Sequence, residues 1–181
     1  LSPEGELLRA ALGKAVNTLA APGALNGLAQ TLLRMTVPGI PDLYQGNEYW
    51  DFTLVDPDNR RPVDYADRQR ALDASADLPE LLTTWRDGRI KQSLIAQALN
   101  LRAEHTELFR RGAYQALEVV GSQAHRMLAF ARSVEGKRAI VIVPIRCAEL
   151  LKNSAEPRVD ALLWGDTRVK LPFATSDEHL K

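Results

Sequence analysis

Apolar residues at the start of the chain recur with a helical spacing. Leu7, Leu8, Ala11, Leu12, Ala15, Val16 and Leu19 follow an i, i+3, i+4 rule and predict an amphipathic helix over 4–20. Pro22-Gly23 interrupts the pattern and predicts a break. Leu25, Leu28, Ala29, Leu32 and Leu33 resume it, giving a second helix that ends before Pro38-Gly39. Ile40 to Tyr44 reads as a short strand. Pro41 lacks an N–H, so the first residues of that strand must lie outside its ladder. Helix, tight turn and strand over 24–46 make one step of an α/β layer.

A polar, aromatic loop follows over 46–65, then short helices over 66–75 and 79–86. Asp87-Gly88 offers a cap for a helix over 89–110, with Ile90, Leu94, Ala98, Leu101, His105 and Leu108 on one stripe. Arg110 and Arg111 suit the negative end of its dipole, and Gly112 suits the C′ position. The texture then changes. Residues 117–120, 127–132 and 139–143 are short β-type runs, punctuated by Gly121-Ser122 and Glu135-Gly136. Residues 147–153 predict a helical insertion, and 161–164 and 168–171 two more strands. A boundary near 112 divides a helix-rich part, 1–112, from an antiparallel β part, 113–181.

Composition narrows the function classes. The chain has 181 residues, 45% hydrophobic and 25% charged, enough for one sizeable core or two small ones. Lys plus Arg and Asp plus Glu are both 23, so the net charge is zero and the electrostatic footprint of a nucleic-acid binder is missing. No apolar run approaches the roughly 20 residues of a bilayer span, and no secretory signal is visible. The single Cys147 suits a reducing compartment, hence a cytoplasmic expectation, and reads as a small buried hydrophobe. The first residue is Leu1 and the end, 175–181, is polar with no closing element, which together lead us to expect a fragment, incomplete at its C-terminus.

Chemistry concentrates over 42–65. Tyr44, Tyr49, Trp50, Phe52 and Tyr65 lie there, among Asp42, Glu48, Asp51, Asp56, Asp58 and Asp64, with Arg60 and Arg61 and no lysine. Flat apolar faces cover a sugar ring, and bidentate charged groups take up hydroxyl pairs, with planar Arg suited where geometry is fixed. A loop held by its own Asp–Arg pairs, with Trp50 and Phe52 capping a core, accounts for the composition equally well. Glycosidic chemistry needs two carboxylates about 5–5.5 Å apart for retention or about 6.5–9.5 Å for inversion. Asp42, Glu48 and Asp56 are candidates, but spacing within a loop fixes no distance. Asp56-x-Asp58 lacks the glycine and terminal glutamate of an EF-hand, so no metal is expected. His105 reads as a buried, hydrogen-bonded side chain, and His125 and His179 lack partners at ligand spacing. Trp85 and Trp164 read as isolated core or interface residues. Dinucleotide, P-loop and nucleophile-elbow motifs are all missing, and no cofactor is expected.

Pro38-Gly39-Ile40-Pro41-Asp42-Leu43-Tyr44-Gln45-Gly46-Asn47-Glu48 resembles the eighth barrel strand of the α-amylase family, glycoside hydrolase family 13. Trp50-Asp51-Phe52-Thr53-Leu54-Val55-Asp56-Pro57-Asp58-Asn59-Arg60-Arg61-Pro62-Val63-Asp64-Tyr65 narrows the resemblance to a trehalose-forming branch of it. The stretch 23–33 resembles the helix before that strand, and Leu108-Phe109-Arg110-Arg111-Gly112-x-Tyr114 and Trp164-Gly165-Asp166-Thr167 resemble its C-terminal region. The resemblance implies an α+β fragment: the last β/α unit and helices of a (β/α)8 barrel, followed by a small antiparallel β domain.

It also implies a parent isomerase that turns the reducing-end α-1,4 link of a maltooligosaccharide into an α,α-1,1 link by retaining chemistry. In that family the three catalytic carboxylates lie at the ends of barrel strands four, five and seven, upstream of this stretch. A full barrel needs about 250 residues, more than the chain holds. No catalytic residue is therefore assigned, and the chain alone is expected to be inactive. Asp56 and Arg60 match the Asp-Pro-x-Asn-Arg positions that hold glucose hydroxyls. Asn59 and Arg61 are candidates for ordering the loop or the sugar, and Tyr44, Gln45, Glu48 and Trp50 for lining the site. The implied partners are a maltooligosaccharide and the remainder of the parent barrel, with no nucleic acid and no membrane. Another amylase-like hydrolase or transglycosylase, and a non-catalytic carbohydrate-binding or scaffold module, remain as alternatives.

Overall fold

The computed structural model describes residues 3–53, 60–152 and 154–172. Among these residues, five α-helices precede five strands: α1 (Pro3–Thr36), α2 (Tyr65–Ala74), α3 (Leu78–Thr83), α4 (Arg89–Glu104), α5 (Thr106–Arg111), β1 (Ala113–Ala116), β2 (Val119–Val120), β3 (Met127–Val134), β4 (Lys137–Pro144) and β5 (Arg168–Val169).

Pro22 lies inside α1. The helix does not break there; α1 runs through it for 34 residues. An interior proline removes one backbone hydrogen bond and costs about 3 kcal/mol. Burial opposes that cost. Ala21 and Ala24, on either side of the proline, pack against Leu81, Trp85 and Ile90. Farther along, Ala29, Leu32 and Leu33 meet the sheet, and Met35 meets Ile95 and Ala98 of α4. The N-terminal half of α1 has no such partner among the described residues, and Leu7, Leu8, Leu12, Val16 and Leu19 are 57–73% exposed.

Residues 40–44 form no strand. The backbone there is unladdered and Ile40 is 97% exposed. A strand exists only when a neighbour accepts and donates its hydrogen bonds, and the described residues supply none beside it. The helix expected over 89–110 is divided at His105 (φ −122°, ψ 47°) into α4 and α5. The break lets the adjacent Leu108 and Phe109 both lie buried. His105 itself is half-buried, and its Nδ1 has no hydrogen-bond partner among the described residues, where a buried, hydrogen-bonded side chain was expected. Gly112 follows α5 with φ −58°, not in the left-handed region. A glycine is needed there for a different reason: a Cβ would stand 2.2 Å from the Leu108 carbonyl oxygen.

Strands β1, β3 and β4 form one antiparallel sheet, with β3 in the middle. The β3–β4 hairpin turns at Glu135 (φ 48°) and Gly136 (φ 81°) and keeps register from Met127↔Pro144 to Val134↔Lys137. Strands β2 and β5 pair separately. Alternation along β3 gives the sheet two covered faces. Phe130 packs toward Ala29 of α1, while Ala129 and Ala131 pack toward Leu117, Val119 and Val169. The first β-run begins at Ala113 rather than 117. Residues 161–164 are a 3-10 turn, and 147–152 hydrogen-bonded turns, where a strand and a helix were expected. Asp160 explains the former: its carboxylate accepts the Leu162 N–H and caps the turn.

Arg132, two residues from Phe130 and 1% exposed, is the largest fully buried side chain. Its guanidinium donates to the carbonyls of Thr36 (3.0 Å), Phe109 (3.2 Å) and Gly112 (2.9 and 3.2 Å). Thr36 ends α1, and Phe109 and Gly112 close α5. A cation thus occupies the negative ends of two helices and satisfies carbonyls left over there. Burial, and the nearby positive charge of Arg102, push its pKa below the usual value. Arg102 donates in turn to the Met35 carbonyl (2.7 Å).

Replacing Arg132 with Met would leave three buried carbonyls without a donor. We expect a loss of about 3–5 kcal/mol, read as a lower urea midpoint of the polypeptide carrying this segment. An unchanged midpoint would show that water or a shifted donor takes over.

Candidate functional site

The chain leaving α1 is anchored at its first residues and again near Tyr49. Arg102 holds Met35, and Arg132 holds Thr36. After an exposed stretch the backbone passes across the N-terminus of α4. Gly88 (φ 89°) makes that passage possible. A Cβ there would meet the Tyr49 Cβ at 2.8 Å and the Trp50 nitrogen at 3.0 Å. One helical turn on, the Lys91 ammonium donates to the Tyr49 carbonyl (3.1 Å) and lies 5.8 Å from the Trp50 ring centre. Desolvation lowers the Lys91 pKa, with a smaller lowering from Arg34, against the opposing attraction of Asp51 and Glu48. Trp50 is fixed by its indole N–H, which donates to the Trp85 carbonyl (2.7 Å), and by an edge-to-face contact with the Trp85 ring (6.3 Å, 80°). Trp85 is buried and donates to the Ala155 carbonyl, so neither ring is isolated.

A groove of about 490 Å³ opens beside this segment. Gln45, Trp50, Asp51, Arg61, Asp64 and Arg68 are among the residues lining it. Of the residues expected to line a sugar site, the structure therefore gathers Gln45, Trp50 and Arg61. Tyr44 and Arg60 are exposed but outside the lining. Glu48 is otherwise engaged, its carboxylate paired with Arg68 at 3.0 Å. Asp56 and Asn59 lie outside the described residues, as does the Asp56-x-Asp58 pair.

Two loop carboxylates, Asp51 and Asp64, and Asp67 of α2 have local structural roles. Asp51 accepts the Thr53 N–H (2.8 Å), and that bond holds its pKa below the usual value. Asp64 caps α2 by accepting the Asp67 N–H (2.9 Å). Tyr49 donates its hydroxyl to Asp67 (3.2 Å); burial, then the nearby carboxylate, raise the phenol pKa. Among the described residues no three His, Cys, Asp or Glu side chains gather as a metal site. Among the described residues no helix is long and apolar enough to cross a membrane.

Sequence reasoning missed Arg68, Gln92 and Lys91. The signal was available for the first: an arginine one turn into the helix that follows the loop can reach back to its base. Lys91 and Gln92 carry no such cue, because their partners are 42 and 24 residues away.

Gly88→Ala should strain a left-handed backbone and push Tyr49 and Trp50 outward. We expect about 1–3 kcal/mol lost and a red-shifted tryptophan emission as the Trp50–Trp85 contact opens. Unchanged stability and emission would show that the passage over Gly88 is loose.

No family model matches the chain. Two proteins of Mycobacterium tuberculosis, from strains CDC 1551 / Oshkosh and H37Rv, carry the name maltooligosyl trehalose synthase. Each is 46% identical over 107 residues, 59% of this chain. The chain spans only 12% of their length. The structure of maltooligosyltrehalose synthase from Arthrobacter ramosus aligns over 91% of this chain and 20% of its own, with TM-score 0.71 and 35% identity. A mutant of that enzyme aligns over 92% with TM-score 0.72. Over nearly all its length, then, the chain is similar to the C-terminal region of maltooligosyltrehalose synthase.

Proposed function

We propose that this sequence forms the C-terminal portion of a cytoplasmic isomerase of glycoside hydrolase family 13. In this reading the parent enzyme converts the reducing-end α-1,4 link of maltooligosaccharides to an α,α-1,1 link. The observation that carries it is the groove flanked by Gln45, Trp50 and Arg61, built at the end of the strand-eight-like segment where the sequence string is most specific. Arg61 and, from the same loop, Arg60, Asp56 and Asn59 supply the hydroxyl-binding side chains. Trp50 serves as an apolar wall, since its N–H is already committed to Trp85. Glu48 acts indirectly, through Arg68.

The helices over 1–112 belong to the closing part of a (β/α)8 barrel, and 113–181 to an antiparallel domain that braces it. The exposed leucines of α1, the unladdered 40–44 segment and an apolar groove between α1 and Trp50–Phe52 are the surfaces that the rest of the barrel covers. Catalysis requires carboxylates from that remainder. A retaining isomerisation must also hold the freed glucose away from water until its anomeric hydroxyl attacks, which one open groove wall does not do. The chain by itself is therefore inactive.

Incubation with maltopentaose tests this. The full-length parent should give a non-reducing product of unchanged mass, and the purified 181-residue chain should give none. Free glucose or maltose as the parent's main product would make it a hydrolase. Trehalosyl formation by the chain alone would overturn the fragment reading.

A further inference from the structure

Arg68 lies on α2, just beyond the loop, yet it touches both ends of it. Its Nη2 donates to the Gly46 carbonyl (3.2 Å), where the chain enters the loop. Its Nη1 donates to the Asp64 carbonyl (3.1 Å), where the chain leaves it. Its Nε pairs with Glu48 at 3.0 Å, and the guanidinium stacks 4.5 Å from the Tyr49 ring centre. The backbone of Arg68 is held from the other side, its carbonyl accepting the amide of the buried Gln92 (3.0 Å). The side chains of Arg68 and Glu48 are 16% and 26% exposed, so salt screens this pair less than a surface one.

We infer that Arg68 is a positioning residue for the sugar-binding loop. One planar cation closes the base of the loop and thereby sets where Arg60 and Arg61 stand against the sugar. The inference rests on the function proposed above and assigns a residue to which neither the comparisons nor the sequence motif gives a role. Arg68 works by position: three of its five N–H groups, one on each nitrogen, already donate to the protein at the two ends of the loop. A lysine cannot replace it: a single ammonium cannot reach Gly46, Glu48 and Asp64 together while stacking on Tyr49. The loop closes over many residues, and without the cross-link at its base its free conformations multiply. The cost falls on ground-state binding of sugar, because the groups that bind it are no longer held ready.

The test uses the full-length enzyme carrying this sequence, with Arg68→Lys, Arg68→Gln and the milder Glu48→Gln, which keeps the acceptor but removes its charge. KM for maltopentaose should rise about tenfold or more in the arginine variants, with kcat within about threefold. Glu48→Gln should shift KM in the same direction by less. Trypsin cleavage after Arg60 should accelerate about tenfold in the arginine variants, as local opening becomes easier. Unchanged KM with a lowered thermal midpoint would reduce Arg68 to a fold-stabilising residue and overturn the inference, as would no change in KM or proteolysis. Should the arginine variants fail to fold, Glu48→Gln decides: a raised KM supports the clamp and an unchanged KM overturns it. A wild-type parent inactive on maltopentaose would defeat the functional reading itself, before any variant is compared.

Discussion

Helix ends leave carbonyls that need donors, and this molecule brings two of its helix ends to one buried cation. Arg132 occupies the point where α1 and α5 finish, and its three acceptors come from both. Taking a guanidinium out of water is costly, and here the compensation comes from backbone dipoles, with no carboxylate paired to it among the described residues. That point joins the helices to the sheet, since Arg132 sits on the central strand β3. With Arg102 on the Met35 carbonyl, it also fixes the direction in which the chain leaves α1.

From this anchor the groove is assembled by contacts that each restrict the next. Gly88 lets the Tyr49–Trp50 backbone cross α4 closely, Lys91 ties that backbone down, and Trp85 orients Trp50. Arg68 joins the two ends of the loop. The result is a wall with one aromatic face and an adjacent arginine, Trp50 and Arg61, which is the chemistry a neutral polyol needs. The wall is open on its other side. The exposed leucines of α1 and the unpaired 40–44 segment give the proposal its physical basis, because such surfaces are stable in water only when something covers them.

Much of this was legible in the residues. The helical spacing located α1, as two helices, and α4, and the turn at Glu135-Gly136 located the β3–β4 hairpin. The failures have physical causes. Pro22 is a local breaker, but Ala21 and Ala24 are buried against Leu81, Trp85 and Ile90, and tertiary burial outweighed the local rule. Residues 40–44 look like a strand, but a strand depends on neighbours that spacing cannot supply. Arg132 looked like one more residue of a β-run; its role depends on two helix ends distant in sequence. At the candidate site, the string from Trp50 to Tyr65 singled out a stretch along which a groove lies, and that groove gathers Gln45, Trp50 and Arg61 from it and its approach. Glu48 was expected to line the site and instead holds Arg68. That division between lining the groove and holding the loop is set by distances, which composition does not contain.

The most direct measurement is the position of a bound maltooligosaccharide in a crystal of the full-length parent, inactivated at its reacting carboxylate. The account predicts a glucosyl unit stacked near Trp50, with its hydroxyls in hydrogen-bond range of Asp56 and the Arg60–Arg61 pair. Sugar density elsewhere, with this loop turned away from it, would contradict the account.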